Sequence, residues 1–284
     1  MFQNIFIKTL VFKVPFHSFV AQKYQQIWNM DNKNIFLKAK YFLKSKYIYI
    51  RGAIRGSEIV DYKKIPIIIN NYNRLTTLQA LISFLEKAGY ENLFVIDNAS
   101  TYPPLLEYYK SCPHTVFHLK NNVGYLSLWK TDIYKQFIDN YYVYTDSDIV
   151  PCDDCPHDFL NYFREILLRH NHAAKVGFGL KIDDLPDHYD LKQTVIDWES
   201  KFWKYEIEND LFRAPIDTTF ALHRPYAKKN ANWYVEQYRT GGKYTARHMP
   251  WYNNSNDLSP EEQYYINSCT KSTHWTNIST QSDE

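Results

Sequence analysis

Short apolar runs alternate with helical patterns from residue 65 onward, and this alternation constrains the fold more than any other feature. The runs cover residues 65–69, 93–96, 115–119 and 141–145, and a fifth follows at 176–182. Each has the length and apolar character of a strand buried on both faces. Leucine and isoleucine recur at helical spacing between the first two runs, and shorter helical stretches separate the others. The pattern predicts an α/β fold in which a mostly parallel sheet carries helices on both faces.

The composition is that of a folded chain. Of the 284 residues, 45% are hydrophobic and 17% are aromatic. Disordered chains are poor in both classes, so the composition excludes disorder and allows one large core with extensions.

Polar residues follow three of the predicted strands. They are residues 70–74, 97–100 and 146–148. Sheets of this kind bind ligands in the crevice beyond the carboxyl ends of their strands. We therefore expect the three segments to converge on one crevice.

The last of these segments is Asp146-Ser147-Asp148. A single Asp-x-Asp is expected by chance in a chain of this composition, so its position at a buried strand's end carries the interpretation. Carboxylates are costly to bury unless they meet a cation or water, and alternate residues of an extended chain face the same way. Hard oxygen ligands suit Mn²⁺ or Mg²⁺, which bridges phosphate oxygens. The alternative is an acidic turn that caps the next segment.

Four motifs together resemble a known family. They are Ile-Pro-Ile-Ile-Ile-Asn-Asn-Tyr-Asn-Arg at 65–74, Val-Ile-Asp-Asn-Ala-Ser at 95–100, Asn-Val-Gly at 122–124 and Tyr-Thr-Asp-Ser-Asp at 144–148. Their order and spacing over residues 63–150 resemble the GT-A-fold (Rossmann-like) glycosyltransferases, nearest to glycosyltransferase family 2. Residues 217–220 and 244–252 resemble a bacterial-type subset. The resemblance implies a nucleotide-sugar donor, with UDP favoured, a glycan or lipid-linked acceptor, and a role in building polysaccharide.

The resemblance also implies roles for individual residues. Asp146, Asp148 and His248 would hold Mn²⁺ or Mg²⁺. The nucleotide-sugar would be bound by nine residues: Asn70, Tyr72, Arg74, Asp97, Asn122, Gly124, Asp146, Ser147 and Arg247. Three of these residues could instead have purely structural roles: Asp97 in a turn, Arg74 as a surface charge and His248 as a packed surface histidine.

An inverting transfer needs a general base to deprotonate the acceptor. Asp217, in an apolar stretch interpreted as a strand over residues 215–222, is the first candidate, and Glu199 is the second. The chain lacks the Glu-Asp pair that many family 2 enzymes carry, so a retaining enzyme, with Asp217 binding sugar or acceptor, stays open. Glu262 is set aside because Ser259, Pro260 and Glu262 match a helix start with a capping box.

Other functional classes are weighed against this interpretation. A sugar-phosphate nucleotidyltransferase would need a glycine-rich loop after the first strand, where residues 70–74 contain no glycine. A P-loop hydrolase is excluded because its motif does not occur. A non-catalytic nucleotide- or carbohydrate-binding protein remains possible.

The charge divides the chain. Residues 1–64 contain twelve basic and three acidic side chains, a net charge of +9, although the whole chain carries only +2. We expect a basic, mainly helical extension (1–62), a catalytic domain (63–255, with a nucleotide-binding half to 150 and an acceptor half from 151) and a C-terminal helix and tail (256–284). The basic segment could contact an anionic membrane or be a solvated face. No nucleic acid partner is expected.

Location and redox state follow from what the sequence lacks. No run reaches the ~18 apolar residues of a membrane span, and the N-terminus lacks signal-peptide features. We therefore expect a cytoplasmic protein, with peripheral contact at the inner membrane face as an option. Cys152 and Cys155 form one C-x-x-C beside acidic residues, without the second pair of a zinc site, which favours plain thiols.

Overall fold

The computed structural model describes residues 61–170, 172–227 and 236–269, together with positions 43, 46, 47 and 50. The predicted basic extension therefore lies almost wholly outside the described residues, as does the tail after residue 269. Their predicted roles, including membrane contact through residues 1–64, stay predictions. Among the helices of the described ranges, none has the length and apolar character to cross a membrane.

One mixed sheet of ten strands organises these ranges. The strands are β1 (Ile67–Asn71), β2 (Leu93–Asp97), β3 (Thr115–His118), β4 (Tyr142–Asp146), β5 (Ile149–Pro151), β6 (Lys175–Leu180), β7 (Glu206–Glu208), β8 (Leu211–Arg213), β9 (Ala221–His223) and β10 (Gln237–His248). Their order is β3-β2-β1-β4-β9-β6-β10-β8-β7, and β5 pairs with β10.

The sheet is mostly parallel, as predicted. Strands β3, β2, β1 and β4 are parallel neighbours, and β6 and β10 are parallel as well. The exceptions are β9, which runs antiparallel between β4 and β6, and the strands β5 and β8, which run antiparallel to β10. At the edge of the sheet, β7 in turn pairs antiparallel with β8. This arrangement confirms the predicted α/β, Rossmann-like fold class.

Six α-helices accompany the sheet in the described residues. They are α1 (Thr76–Lys87), α2 (Pro103–Ser111), α3 (Ser127–Lys130), α4 (Phe159–Arg169), α5 (Lys192–Glu199) and α6 (Pro260–Ser268). The predicted helix between β3 and β4 is interrupted: α3 ends at Lys130, and a 3₁₀ segment, Asp132–Gln136, follows it. Thr131 causes the break, because its backbone is extended and its hydroxyl donates to the carbonyl of Ser127 at 2.9 Å.

Helices cover both faces of the sheet because side chains alternate along β1. Ile67 and Ile69 pack in the larger core with α1, α2 and α4, whereas Ile68 packs in a smaller core with α3. All three isoleucines are fully buried. Burying one such side chain contributes about 1.5–3 kcal/mol, so the alternation fixes which side chains of β1 face each core.

The register of the parallel strands brings the predicted polar ends together. Asn70 of β1 is the partner of Asp146 on β4, and Asn71 is the partner of Asp97 on β2. The carboxyl ends of three strands therefore lie side by side, as the sequence predicted.

The predicted strand at residues 215–222 is wrong at its start. Strand β9 begins only at Ala221, so Asp217 lies in the preceding loop. A buried amine explains the difference: Nζ of Lys175 donates to the carbonyls of Ile216 and Asp217 at 2.8 and 3.1 Å. Nε of Arg239 donates to the carbonyl of Pro215 at 2.9 Å. Side chains thus take the carbonyls that a strand would use.

The cysteine pair behaves as plain thiols. Cys152 and Cys155 are buried and form no disulfide. Burial raises the pKa of both thiols, which keeps them protonated and poorly nucleophilic.

Candidate functional site

Asp146 ends β4 with both carboxylate oxygens engaged. Oδ1 accepts a hydrogen bond from Nδ2 of Asn70 at 3.1 Å, and Oδ2 accepts one from the hydroxyl of Thr218. Burial, followed by the charge of Asp148, raises the pKa of Asp146 to about 8. The two carboxylates are therefore close enough that charging both is unfavourable, which is the electrostatic condition that a cation relieves.

Asp148 lies two residues further on, beside two basic groups. Its Oδ2 is 3.5 Å from Nε of Arg74 and 3.6 Å from Nε2 of His248. Burial alone would raise its pKa, but His248 and Arg74 outweigh that effect and lower the pKa to about 2. Asp148 is accordingly the more acidic carboxylate of the pair.

The end of β10, which carries His248, is also joined to Asp148 by a backbone hydrogen bond. The carbonyl of Asp148 accepts from the amide of Met249 at 2.8 Å, which anchors the end of β10 beside β4. The ring of His248 packs against Trp251 at 4.7 Å, and its Nδ1 has no hydrogen-bond partner.

The residues fit a metal of one particular kind. In the described residues, no three His, Cys, Asp or Glu side chains are grouped so that they could hold an ion, and Nε2 of His248 faces Asp148 itself. The predicted three-ligand shell is therefore not preformed. Mg²⁺ and Mn²⁺ are commonly held by one or two carboxylates, with phosphate oxygens and water completing the shell. Asp146 and Asp148 supply that donor set.

Ser147 points away from its two neighbours. Its hydroxyl donates to Oδ1 of Asn71 at 2.6 Å, and Nδ2 of Asn71 donates to the hydroxyl of Tyr109 at 2.8 Å. Ser147, which was predicted to bind the nucleotide-sugar, therefore lies in a buried hydrogen-bond network that joins β4 to β1 and α2.

Asp97 is buried at the end of β2. One of its oxygens accepts from the amide of Ser100 at 3.1 Å, and the other lies 3.1 Å from Nδ1 of His118. The His118 side chain is 57% exposed, so this second oxygen is the one that a ligand could reach by displacing it.

The predicted loop at Asn122 and Gly124 is connected to β2 through Asn98. The side-chain amide of Asn98 makes two hydrogen bonds: Nδ2 donates to the carbonyl of Gly124 at 3.0 Å, and Oδ1 accepts from the backbone N–H of Val123 at 2.8 Å. Gly124 has φ of +81°, a left-handed conformation that favours glycine. Oδ1 of Asn122 accepts from the amide of Gly124 at 2.8 Å, so the loop is held at the edge of the crevice.

Tyr72 and Arg74 face the C-terminal helix α6. The hydroxyl of Tyr72 donates to the carbonyl of Ser268 at 3.0 Å, and the guanidinium of Arg74 pairs with both oxygens of Glu262. Arg74 also reaches Asp148, so it belongs to the site, whereas Tyr72 is occupied by the helix.

The helix start predicted at residues 259–262 is confirmed, but the predicted role of the Glu262 side chain is wrong. Ser259 does cap α6, since its hydroxyl accepts from the amide of Glu262 at 3.1 Å. The carboxylate of Glu262, however, pairs with the buried Arg74. A residue that the sequence led us to set aside therefore lies one side chain away from Asp148.

Arg247 and Glu199 lie apart from the carboxylate pair. Arg247 alternates with His248 along β10, and its guanidinium pairs with Asp184 at 2.9 Å and with Asp153 at 3.1 Å. Glu199 forms a buried ion pair with Arg239 at 2.7 Å.

Asp217, by contrast, is exposed beside the site. It precedes Thr218, which holds Asp146, and its charge contributes to the raised pKa of Asp146. Its side chain is exposed in the loop that leads into β9.

Sequence reasoning missed four residues that build the site. Ser127 and Thr218 donate hydrogen bonds to Asn70 and Asp146 at the strand ends. Asn98 joins the loop at Gly124 to β2, and Glu262 pairs with Arg74. Thr218 and Asn98 adjoin predicted residues and could have been found from that. Glu262 carries no local signal, because 188 positions separate it from Arg74.

No protein-family model and no curated protein matches this sequence. Similar solved structures include Staphylococcus aureus TarS 1–349, with 17% identity and a TM-score of 0.35 over 57% of this chain and 47% of that chain. Another is a cytidylyltransferase from Leptospira borgpetersenii serovar Hardjo-bovis (strain JB197), with 14% identity and a TM-score of 0.31 over 43% and 56%. The chain thus spans about half the length of each. These likenesses are too weak to carry an argument, and the fold class rests on the strand order.

Proposed function

We propose that the protein is a glycosyltransferase that moves a sugar from a nucleotide-sugar to a hydroxyl of a glycan or lipid-linked acceptor, assisted by Mn²⁺ or Mg²⁺. One observation carries the proposal. Asp146 and Asp148 lie at the carboxyl end of β4, beside the polar end of β1, and β1 in turn lies next to the polar end of β2. That crevice is where sheets of this class bind nucleotides.

The carboxylate pair suits the diphosphate of the donor. Asp146 and Asp148 would hold the ion, and the bound ion would neutralise the charge that develops on the departing diphosphate. Asn70 and Thr218 orient Asp146 for this role through their hydrogen bonds. Loss of a hydrogen bond that orients a metal ligand typically costs about 10- to 100-fold in metal affinity.

The neighbouring strand end suits the nucleotide base. Asp97 is a buried acceptor at the end of β2, and a carboxylate there can accept the N3–H of uracil. UDP is therefore the favoured nucleotide. The loop held by Asn98 and Gly124 closes the same side of the crevice.

Asp217 suits the role of general base for an inverting transfer. It is exposed and adjoins the residue that holds Asp146. A buried Lys175 amine fixes its backbone carbonyl, so the carboxylate is presented from a restrained loop. In a retaining enzyme the same carboxylate would bind the donor sugar or the acceptor.

A donor screen tests the proposal. Nucleotide release from UDP-, GDP- and CMP-sugars would be measured with Mn²⁺ and with a chelator, for the protein and for Asp148→Ala. Asp132→Ala, at an exposed ion pair of the 3₁₀ segment, is the matched control. We expect release from one nucleotide class that is lost with chelator and with Asp148→Ala only. Tight nucleotide binding without release would favour the binding-protein alternative, and no binding of any nucleotide would contradict both.

A further inference from the structure

The C-terminal helix α6 covers the loop that follows β1. In that loop, the hydroxyl of Tyr72 donates to the carbonyl of Ser268 at 3.0 Å, and Nδ2 of Asn73 donates to Oγ of Ser268 at 2.9 Å. At the start of α1, the backbone N–H of Thr76 donates to the carboxylate of Glu261 at 3.1 Å. Because the loop lies at the carboxyl end of β1, the helix borders the crevice that contains Asp148.

Arg74 is the residue through which the helix reaches the carboxylate pair. Its Nη1 and Nη2 bond the two oxygens of Glu262 at 2.5 and 3.1 Å, and its guanidinium lies 3.8 Å from the ring centre of Tyr265. Arg74 and Glu262 are each only 5% exposed. The remaining nitrogen, Nε, faces Oδ2 of Asp148 at 3.5 Å and makes no hydrogen bond.

This geometry limits what Arg74 can do to Asp148. A guanidinium binds a carboxylate most strongly with two parallel N–H groups, and Glu262 already takes the terminal pair. Without Glu262, the terminal N–H groups of Arg74 would be attracted to Asp148, the other carboxylate near them. A bidentate pair there would occupy both oxygens of Asp148 and cancel its charge, which would oppose the binding of a divalent cation.

We propose that Glu262 is a positioning residue: it holds Arg74 off the lone pairs of Asp148 and so keeps that carboxylate open to a divalent cation. The inference rests on the proposed function, in which Asp148 is a metal ligand. It makes the C-terminal helix part of the donor site, although none of its side chains touches the donor in this scheme.

Titration with Mn²⁺ alone, followed by calorimetry, tests the inference. We expect Glu262→Gln to raise the Kd for Mn²⁺ about tenfold, the usual scale for losing a supporting partner of a metal ligand. Glu261→Gln is the matched control, because Glu261 ties the same helix to Thr76 without touching Arg74. An equal loss with Glu261→Gln would overturn the inference, since helix docking alone would then explain it.

A double variant shows whether the effect passes through Arg74. In an Arg74→Gln background, Glu262→Gln should change Mn²⁺ affinity by no more than about twofold, because no guanidinium remains to compete. The same tenfold loss in that background would contradict the inference. If Glu262→Gln does not fold, Glu262→Asp replaces it: it keeps the charge but shortens the reach, and a smaller shift of the same sign is expected.

Unfolding in urea gives a readout that needs no metal. The coupling between Arg74→Gln and Asp148→Asn, obtained from unfolding midpoints, should be larger in the Glu262→Gln background than in the native one. Equal couplings would overturn the inference. Should the native protein bind no Mn²⁺ at all, the metal part of the proposed function fails, and this unfolding cycle alone decides the role of Glu262.

Discussion

Asn70 donates from Nδ2 to Oδ1 of Asp146 at 3.1 Å, and the two residues are also register partners on β1 and β4. The amide of Asn70 is itself fixed, because its Oδ1 accepts from the hydroxyl of Ser127 at 2.6 Å. A continuous chain of hydrogen bonds therefore runs from α3 through β1 to the carboxylate at the end of β4.

Removing the middle of this chain should weaken the fold. Asn70→Ala leaves the buried Oδ1 of Asp146 without its donor. It also removes the acceptor nearest to the hydroxyl of Ser127, which keeps only the hydroxyl of Tyr144 at 3.1 Å. We expect a loss of about 1–3 kcal/mol in the free energy of unfolding, measured in urea. Asn92→Ala, which removes an exposed hydrogen bond to the carbonyl of Lys64, should cost less. Equal losses would mean that the strand-end network adds nothing to stability.

Thr218 and Thr219 offer a sharper comparison. The hydroxyl of Thr218 donates to Asp146, whereas the buried hydroxyl of Thr219 has no hydrogen-bond partner. We expect Thr218→Val to weaken Mn²⁺ binding about tenfold, and Thr219→Val to leave it unchanged and to keep or raise the melting temperature. If the two variants bind Mn²⁺ equally well, Thr218 does not support a metal ligand.

Much of this arrangement could be predicted from the sequence. The apolar runs of β1, β2 and β4 are long enough to demand burial on both faces, and parallel strands bring their carboxyl ends to one edge. The convergence of Asn70, Asp97 and Asp146 follows from that alone.

The remaining features depend on contacts that a local pattern does not contain. The loop at Asp217 is held by a hydrogen bond from the buried amine of Lys175, 42 positions away. The ion pair that holds Arg74 comes from Glu262, 188 positions further along the chain. Arg247 is turned from the site by the pairing of β10 with β5, which a strand pattern leaves undetermined.

Acid should destabilise the protein partly through His223. This side chain is fully buried and stacks on Tyr142 at 4.8 Å; burial first, and the charge of Lys175 second, hold its pKa well below 6.5. The folded protein keeps His223 neutral, while the unfolded chain takes up a proton as the pH falls below about 6.5. Stability from this residue is therefore present above that pH and is lost below it, by about 1.4 kcal/mol per pH unit.

The test replaces the imidazole with a ring that cannot titrate. His223→Phe should flatten the dependence of unfolding free energy on pH between 7 and 5, while His157→Gln, at an exposed position, should leave the slope as it is. An unchanged slope in His223→Phe would show that other groups cause the acid sensitivity.

Asp217→Asn separates chemistry from binding. The variant keeps the shape of the side chain but cannot accept the proton of the acceptor. For an inverting enzyme we expect kcat to fall about 10²- to 10⁴-fold while the Kd for donor stays unchanged. The comparison is made by calorimetry and by steady-state transfer. A variant with full activity excludes Asp217 as the base, and weaker donor binding with little change in kcat would favour the retaining alternative.

The most direct measurement is calorimetric titration of UDP into the protein with Mn²⁺, with chelator, and with Asp148→Asn in the presence of Mn²⁺. If Asp146 and Asp148 hold the ion that binds the diphosphate, UDP should bind the native protein with Mn²⁺ but not with chelator. Asp148→Asn should fold normally yet bind UDP with at least tenfold lower affinity, a loss of about 1.4 kcal/mol. Binding of UDP that is indifferent to both chelator and Asp148→Asn would contradict the metal site at the end of β4.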